Sequence, residues 1–140
     1  MVNSWIKKSK SMKLGYVIIY VPDVLQAVEF YEKAFGLTRK FVHEAGDYAE
    51  LATGDTALAF ASESLREVNG VETLDNRPSA KPAGVEIALV TNDVQTAFEN
   101  AVSSGAAPLK KPEQKPWGQT VGYVRDLNGF LVEICSPVGK

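Results

Sequence analysis

Every position from 16 to 21, YVIIYV, is apolar or aromatic, and after a Pro-Asp step the apolar residues change spacing to Val24, Ala27, Val28, Tyr31 and Phe35. The first pattern predicts a strand and the second one face of a helix. The same switch recurs in EIALVT at 86–91, followed by Val94, Ala97, Phe98, Ala101 and Val102. Set seventy positions apart, the two stretches superpose, and Asp23, Val24, Ala27 and Glu29 meet identical residues at Asp93, Val94, Ala97 and Glu99. Asp23 and Asp93 suit the N-cap, where a carboxylate accepts hydrogen bonds from unpaired backbone N–H groups, and Gln26 adds a capping-box partner in the first copy. Gly36 and Gly105 suit the left-handed position that ends each helix.

Short strand-like runs follow each helix. The first copy has them at 41–44, 48–52 and 56–61, and the second at 109–111, 120–125 and 130–135, with Asn128-Gly129 a strong hairpin signal. The repeated unit is βαβββ, and the expected class is α+β. Residues 63–84, rich in Asn, Pro and Ser, read as a flexible connector with a short helix at 63–68. The expected organisation is a polar extension at 1–11 and one domain over 12–137, with units at 12–62 and 85–137. Met12 stands just before the first strand, so either Met1 or Met12 is the natural start.

Composition narrows the function classes. The chain has 140 residues, 45% of them hydrophobic, a net charge of -2 and a pI near 5.4. Such a chain is long enough for an ordinary core and has no cationic field for nucleic acid or anionic membrane. The KKSK run at 7–10 reads as a solvated tail. Cys135 is the single cysteine, which suits a reducing compartment. No stretch approaches the roughly 20 apolar residues of a membrane helix, and a cytoplasmic protein is expected.

The alternation within strands then places the candidate chemistry. Successive strand side chains face opposite ways, and the fully apolar row must meet the helix. Val17, Ile19 and Val21 form one row, and Tyr16, Ile18 and Tyr20 the other. Ile87, Leu89 and Thr91 likewise oppose Glu86, Ala88 and Val90. In the last strand, Val132 and Ile134 leave Leu131, Glu133 and Cys135 on the opposite face. Glu86 and Glu133 are thereby directed to one common face, and an acid there needs a partner because unpaired burial costs several kcal/mol.

The doubled unit, the opening VIIYVPDVLQAVEFYEKAFGL and the closing PWGQTVGYVRDLNGFLVEICSP together resemble the vicinal-oxygen-chelate superfamily of glyoxalase I, extradiol dioxygenases, fosfomycin-resistance transferases and bleomycin-resistance proteins. The resemblance covers about residues 12–137. It implies curved mixed sheets forming a partly open barrel with helices outside, and frequently a homodimer that completes the cavity from two chains. It further implies that metal ligands, where used, come from the first and last strand of each unit, here Tyr16, Ala59, Glu86 and Glu133. Ala59 cannot ligate, and a tyrosine with an ordinary pKa of about 10 is a poor ligand. Glu86 and Glu133 remain as an incomplete oxygen set for a divalent cation such as Mg, Mn, Ni or Zn. The single histidine, His43, lies outside those positions, which argues against extradiol dioxygenase chemistry.

Three readings of Glu86 and Glu133 stay open: metal ligands, acids hydrogen-bonded to Tyr16, backbone or water, or an organic-ligand site in which the acids bind a cation or amine or one of them keeps a raised pKa and shuttles a proton. Tyr16 is the third candidate for a catalytic contact, and Ile18 shares its face. Trp117 is either a stacking surface for a ligand or a loop anchor. Gln119 and Tyr123 share one face of their segment, and Tyr48 and Glu50 share one face of theirs, lining either the cavity or solvent. His43 reads as a surface group before a base, and Cys135 as an inert thiol before a nucleophile. The resemblance implies a small-molecule-binding protein of the bleomycin-resistance type with no metal cofactor. The alternative is a metal-dependent lyase or isomerase resembling glyoxalase I. Whether the chain is an enzyme is left open.

Overall fold

The computed structural model describes residues 11–139. The expected extension therefore lies, apart from residue 11, outside the described residues. The first unit runs β1 (Tyr16–Val21), α1 (Val24–Phe35), β2 (Thr38–Val42), β3 (Tyr48–Ala52) and β4 (Ala57–Ser62). A short helix α2 (Leu65–Asn69) lies in the connector, and the second unit runs β5 (Glu86–Val90), α3 (Val94–Ser103), β6 (Ala107–Gln114), β7 (Thr120–Arg125) and β8 (Leu131–Cys135). Each unit forms one four-stranded mixed sheet, in the orders β1-β4-β3-β2 and β5-β8-β7-β6. The sheets are open and do not close into barrels. The first strand pairs parallel with the last in both units, and the remaining pairs are antiparallel. The repeat read from sequence is thus a repeat of topology.

Local chemistry explains the element ends. Asp23 accepts from the Gln26 N–H at 3.0 Å and Asp93 from the Thr96 N–H at 3.1 Å, each satisfying an otherwise orphaned donor. Gly36 ends α1 at φ 69, where its N–H donates to the Glu32 carbonyl and the Leu37 N–H to the Tyr31 carbonyl. Gly129 closes the β7–β8 hairpin at φ 86, and a Cβ there would stand 2.5 Å from the Arg77 carbonyl oxygen, so only glycine fits.

One hydrophobic core joins both units. Val21, Val28, Tyr31, Leu51 and Phe60 of the first unit are fully buried, as are Val124 and Val132 of the second. Burial of such side chains stabilises the fold by about 1.5–3 kcal/mol each. The Tyr31 ring packs against Phe60 and Phe35 at centroid distances of 4.9 and 5.0 Å. Its hydroxyl donates to Asp126 Oδ2 at 2.6 Å, and Asp126 Oδ1 accepts from the Asn128 and Phe130 N–H groups. This buried carboxylate therefore has its acceptors filled while tying α1 to the hairpin of the other unit. Asn100 Nδ2 donates to the Lys33 and Ala34 carbonyls, fastening α3 to the end of α1.

Expected boundaries shift by more than one residue at β2, β6 and the connector helix. β2 begins at Thr38 instead of 41, and β6 covers Ala107–Gln114 instead of 109–111. Both are largely exposed, so no apolar alternation marks them, and both have irregular register, between Arg39 and Phe41 and around Lys110. The helix at 63–68 forms as Leu65–Asn69. The connector, read as flexible from its composition, is pinned by ion pairs whose partners are far apart in sequence, including Arg77 with Glu63 at 2.5 Å and Arg66 with Asp75 at 2.7 Å.

Tyr31→Phe removes the buried inter-unit hydrogen bond and leaves the ring packing intact. Urea unfolding is expected to show a loss of about 1–3 kcal/mol. A change within measurement error would show that this bond does not hold the units together.

Candidate functional site: an acidic face on the second sheet

Burial follows the alternation read from the sequence. Val132 and Ile134 are buried under the helix, whereas Glu86, Ala88 and Val90 are exposed on the other face. Register places Ala88, Glu133 and Tyr123 side by side on β5, β8 and β7, with Glu86 two residues before Ala88 on the same face. Long side chains on such diagonal neighbours reach each other.

Glu86 lies within hydrogen-bonding reach of Glu133. Two carboxyl groups can share such a bond only when one carries a proton. That bond, together with burial and the charge of Glu133, raises the Glu86 pKa from its ordinary 4.5 to about 7. The Tyr123 hydroxyl donates to Glu133 Oε1 at 3.1 Å. Burial, then the Glu133 hydrogen bond and charge, push the Tyr123 hydroxyl up to about 12, so it stays a donor at neutral pH. Cys135, beside the pair, is pushed up to about 11 by burial first and Glu133 second, so it is a thiol and not a nucleophilic thiolate. Among the described residues no lysine or arginine forms an ion pair with Glu86 or Glu133.

Trp117 and Gln119 border this face. The Trp117 indole N–H donates to Gln119 Oε1 at 2.7 Å, and Gln119 Nε2 donates to the Ser136 carbonyl at 2.9 Å. Gln119 reaches toward Cys135, the partner of Val121, which puts it on the Tyr123 side of the sheet. The buried amide thus fixes the orientation of an indole that is 59% exposed.

Tyr16, Ile18, Tyr48 and Glu50 lie on the first sheet. The Tyr48 hydroxyl donates to Glu50 Oε2 at 2.8 Å, and Lys40 Nζ stands 3.6 Å from Glu50 Oε1. Burial first, and Glu50 second, raise the Tyr48 pKa well above its usual value, and Tyr16 adds a smaller contribution. Tyr16 thus has its electrostatic neighbour in Tyr48. Glu50 is the Cα partner of Ala59, so the first unit's acid sits one strand away from the position that Glu133 holds in the second. Sequence reading missed Lys40, because the irregular register beside it hides which face it takes. His43 occupies the β2–β3 turn, where its Nδ1 accepts from the Ala45 N–H and lies 3.5 Å from Asp47, a surface arrangement.

The acidic pair lies on open sheet surface. A hollow of about 660 Å³ between the end of α1, β5 and α3, and another of about 470 Å³ beside β1, are lined by other residues. The donors do not fit a catalytic divalent ion. The first unit offers a tyrosine and a fully buried Ala59 that has no ligating atom, the second offers two carboxyls only, and no group of three His, Cys, Asp or Glu suited to a metal occurs among the described residues.

The shared proton has a measurable consequence. The folded protein keeps it to about pH 7, whereas an unfolded glutamate loses it near 4.5, so stability falls as pH rises between those values and levels off above. Carboxyl-carbon NMR is expected to show one glutamate titrating near neutrality in the native protein and none there in Glu133→Gln, whose stability also loses that pH-dependent part. Ordinary titration of every glutamate in the native protein would dissolve the pair.

Comparison with known proteins gives the same architecture. Residues 13–134 match the Glyoxalase/Bleomycin resistance protein/Dioxygenase superfamily. An uncharacterized protein, YraH, of Bacillus subtilis is 27% identical over 125 residues, covering 88% of this chain and 97% of its own. Among solved structures, a glyoxalase-related enzyme from Fulvimarina pelagi is similar with a TM-score of 0.77 at 22% identity, covering 92% of this chain and 94% of its own. TioX from Micromonospora sp. ML1 is similar with a TM-score of 0.67 at 23% identity, covering 89% of this chain and 98% of its own. With the family match spanning nearly the whole chain and the doubled βαβββ topology on both sheets, this chain belongs to the Glyoxalase/Bleomycin resistance protein/Dioxygenase superfamily.

Proposed function

We propose that this protein binds a small organic cation on the acidic face of the second sheet, without a metal cofactor, and that it does so as a homodimer whose second copy closes over that face. The observation that carries this reading is the Glu86–Glu133 pair, which has no basic ion-pair partner among the described residues, in contrast to Glu50, which has Lys40. A guest amine or amidinium supplies the missing positive charge, and sheltering by a partner strengthens that attraction. Trp117 adds an oriented aromatic face suited to a cation or a flat ring. Tyr16, Ile18 and Val90 are 58%, 44% and 63% exposed on the outer sheet faces, apolar surface that a second copy would cover.

On this reading Glu133 orients and charges the pair, Glu86 exchanges its proton for the guest, and Tyr123 holds Glu133 in place. Metal-dependent lyase chemistry of the glyoxalase I kind is disfavoured by the donor set. Stoichiometric divalent metal in protein purified without chelator, lost in Glu133→Ala, would reinstate it.

Calorimetry against bleomycin and other cationic antibiotics tests the reading. Binding is expected to weaken as pH falls below about 7, because Glu86 then holds its proton, and to weaken about tenfold, ~1.4 kcal/mol, in Glu133→Gln. Uniform absence of binding at pH 8 across such a series would defeat the proposal.

A further inference from the structure

β1 is an edge strand of the first sheet. In β1, the Gly15 carbonyl accepts from Ala57 N and the Val21 carbonyl from Glu63 N, so the odd-numbered residues turn their backbone groups toward β4. In a parallel pair the N–H and C=O of one residue point the same way, and those of Tyr16, Ile18 and Tyr20 therefore point outward. Such a row of free groups is a template for strand pairing with another molecule.

The connector lies across that row. Asn76 Nδ2 donates to the Tyr20 carbonyl at 3.1 Å, and Thr73, Leu74 and Asn76 line the 470 Å³ hollow with Val17 to Tyr20. A clasp of four charged side chains holds it there. Arg77 forks onto both oxygens of Glu63 at 2.5 and 2.9 Å, Arg66 meets Asp75 at 2.7 Å, and Arg77 also reaches Asp75 at 3.4 Å. Arg66 donates to Thr73 Oγ1 at 2.7 Å and stacks over the Tyr20 ring at 5.7 Å. From the other unit, Arg125 donates to the Arg77 and Ala80 carbonyls. Leu74, 90% exposed, sits on this segment without adding to the core.

We propose that residues 71–78 are a strap that guards the outer edge of β1, held by the Arg66–Asp75–Arg77–Glu63 clasp, and that it prevents copies of this chain from joining through that edge. The strap acts by occupancy, since Asn76 already holds the Tyr20 carbonyl and residues 73–76 stand along Val17 to Tyr20, where an added strand would lie. This function is independent of what the acidic face binds.

The test replaces residues 71–78 by a glycine-serine segment of equal length and measures mass by light scattering across a concentration series, with circular dichroism to confirm folding. Species larger than those of the native protein are expected, growing with concentration. Adding Ile18→Pro should abolish them. Proline is tolerated where an edge N–H faces outward, and it removes the donor that pairing needs. Should the replacement not fold, Arg66→Ala with Asn76→Ala is read the same way. A folded strap variant with the native mass distribution overturns the proposal, and so does association that persists with proline at 18.

Discussion

Burial of one row of apolar side chains beneath a helix governs everything else in this molecule. Because strand side chains alternate, once Val17, Ile19 and Val21 are committed to α1, and Val132 and Ile134 to α3, their neighbours have no choice of face. A shift of one residue would drive Glu86 and Glu133 into the core, where an unneutralised carboxyl costs several kcal/mol. The core therefore sets the site, although none of its residues takes part in the chemistry. The same core makes the two units one body, through Tyr31, whose ring belongs to the first unit and whose hydroxyl is spent on Asp126 in the second.

The two sheets carry the same topology and different electrostatics. Each bears a tyrosine bonded to a glutamate, Tyr48 with Glu50 and Tyr123 with Glu133. In the first sheet the acid is buried and has a lysine beside it, and in the second it shares a proton with another acid. A duplicated fold has thus diverged into a neutralised face and a face with charge to offer. Two carboxyls alone are an incomplete ligand set for a metal, and a proton shared between close acids is exchangeable near neutral pH. Trp117, tied through its indole N–H, adds a flat surface whose orientation is settled before any ligand arrives.

The outer edge of the first sheet is covered from within the chain. Mixed four-stranded sheets that do not close leave outer strands with unsatisfied backbone groups, and the connector supplies the first sheet with a cover from within the chain. Composition alone reads that segment as a loose link, since Asn, Pro and Ser are turn formers. Charged residues separated by up to fourteen positions, as Glu63 and Arg77 are, become a clasp only after folding brings them together.

The sequence by itself determined the doubled unit, the caps at Asp23 and Asp93, the Asn128-Gly129 hairpin and the face on which Glu86 and Glu133 stand, because each follows from spacing along a single strand or helix. Strand limits were legible where a strand is half-buried, as in β3 and β7, and lost where it is exposed, as in β2 and β6, since exposure removes the alternation that marks a strand. Only the tertiary structure decided which residues meet. It set Tyr123 beside Glu133, gave Glu50 its Lys40, and kept the acidic pair on open surface instead of inside the hollows between elements. Those are distances between strands, fixed by register, bulges and helix packing, and no periodicity within one segment encodes them.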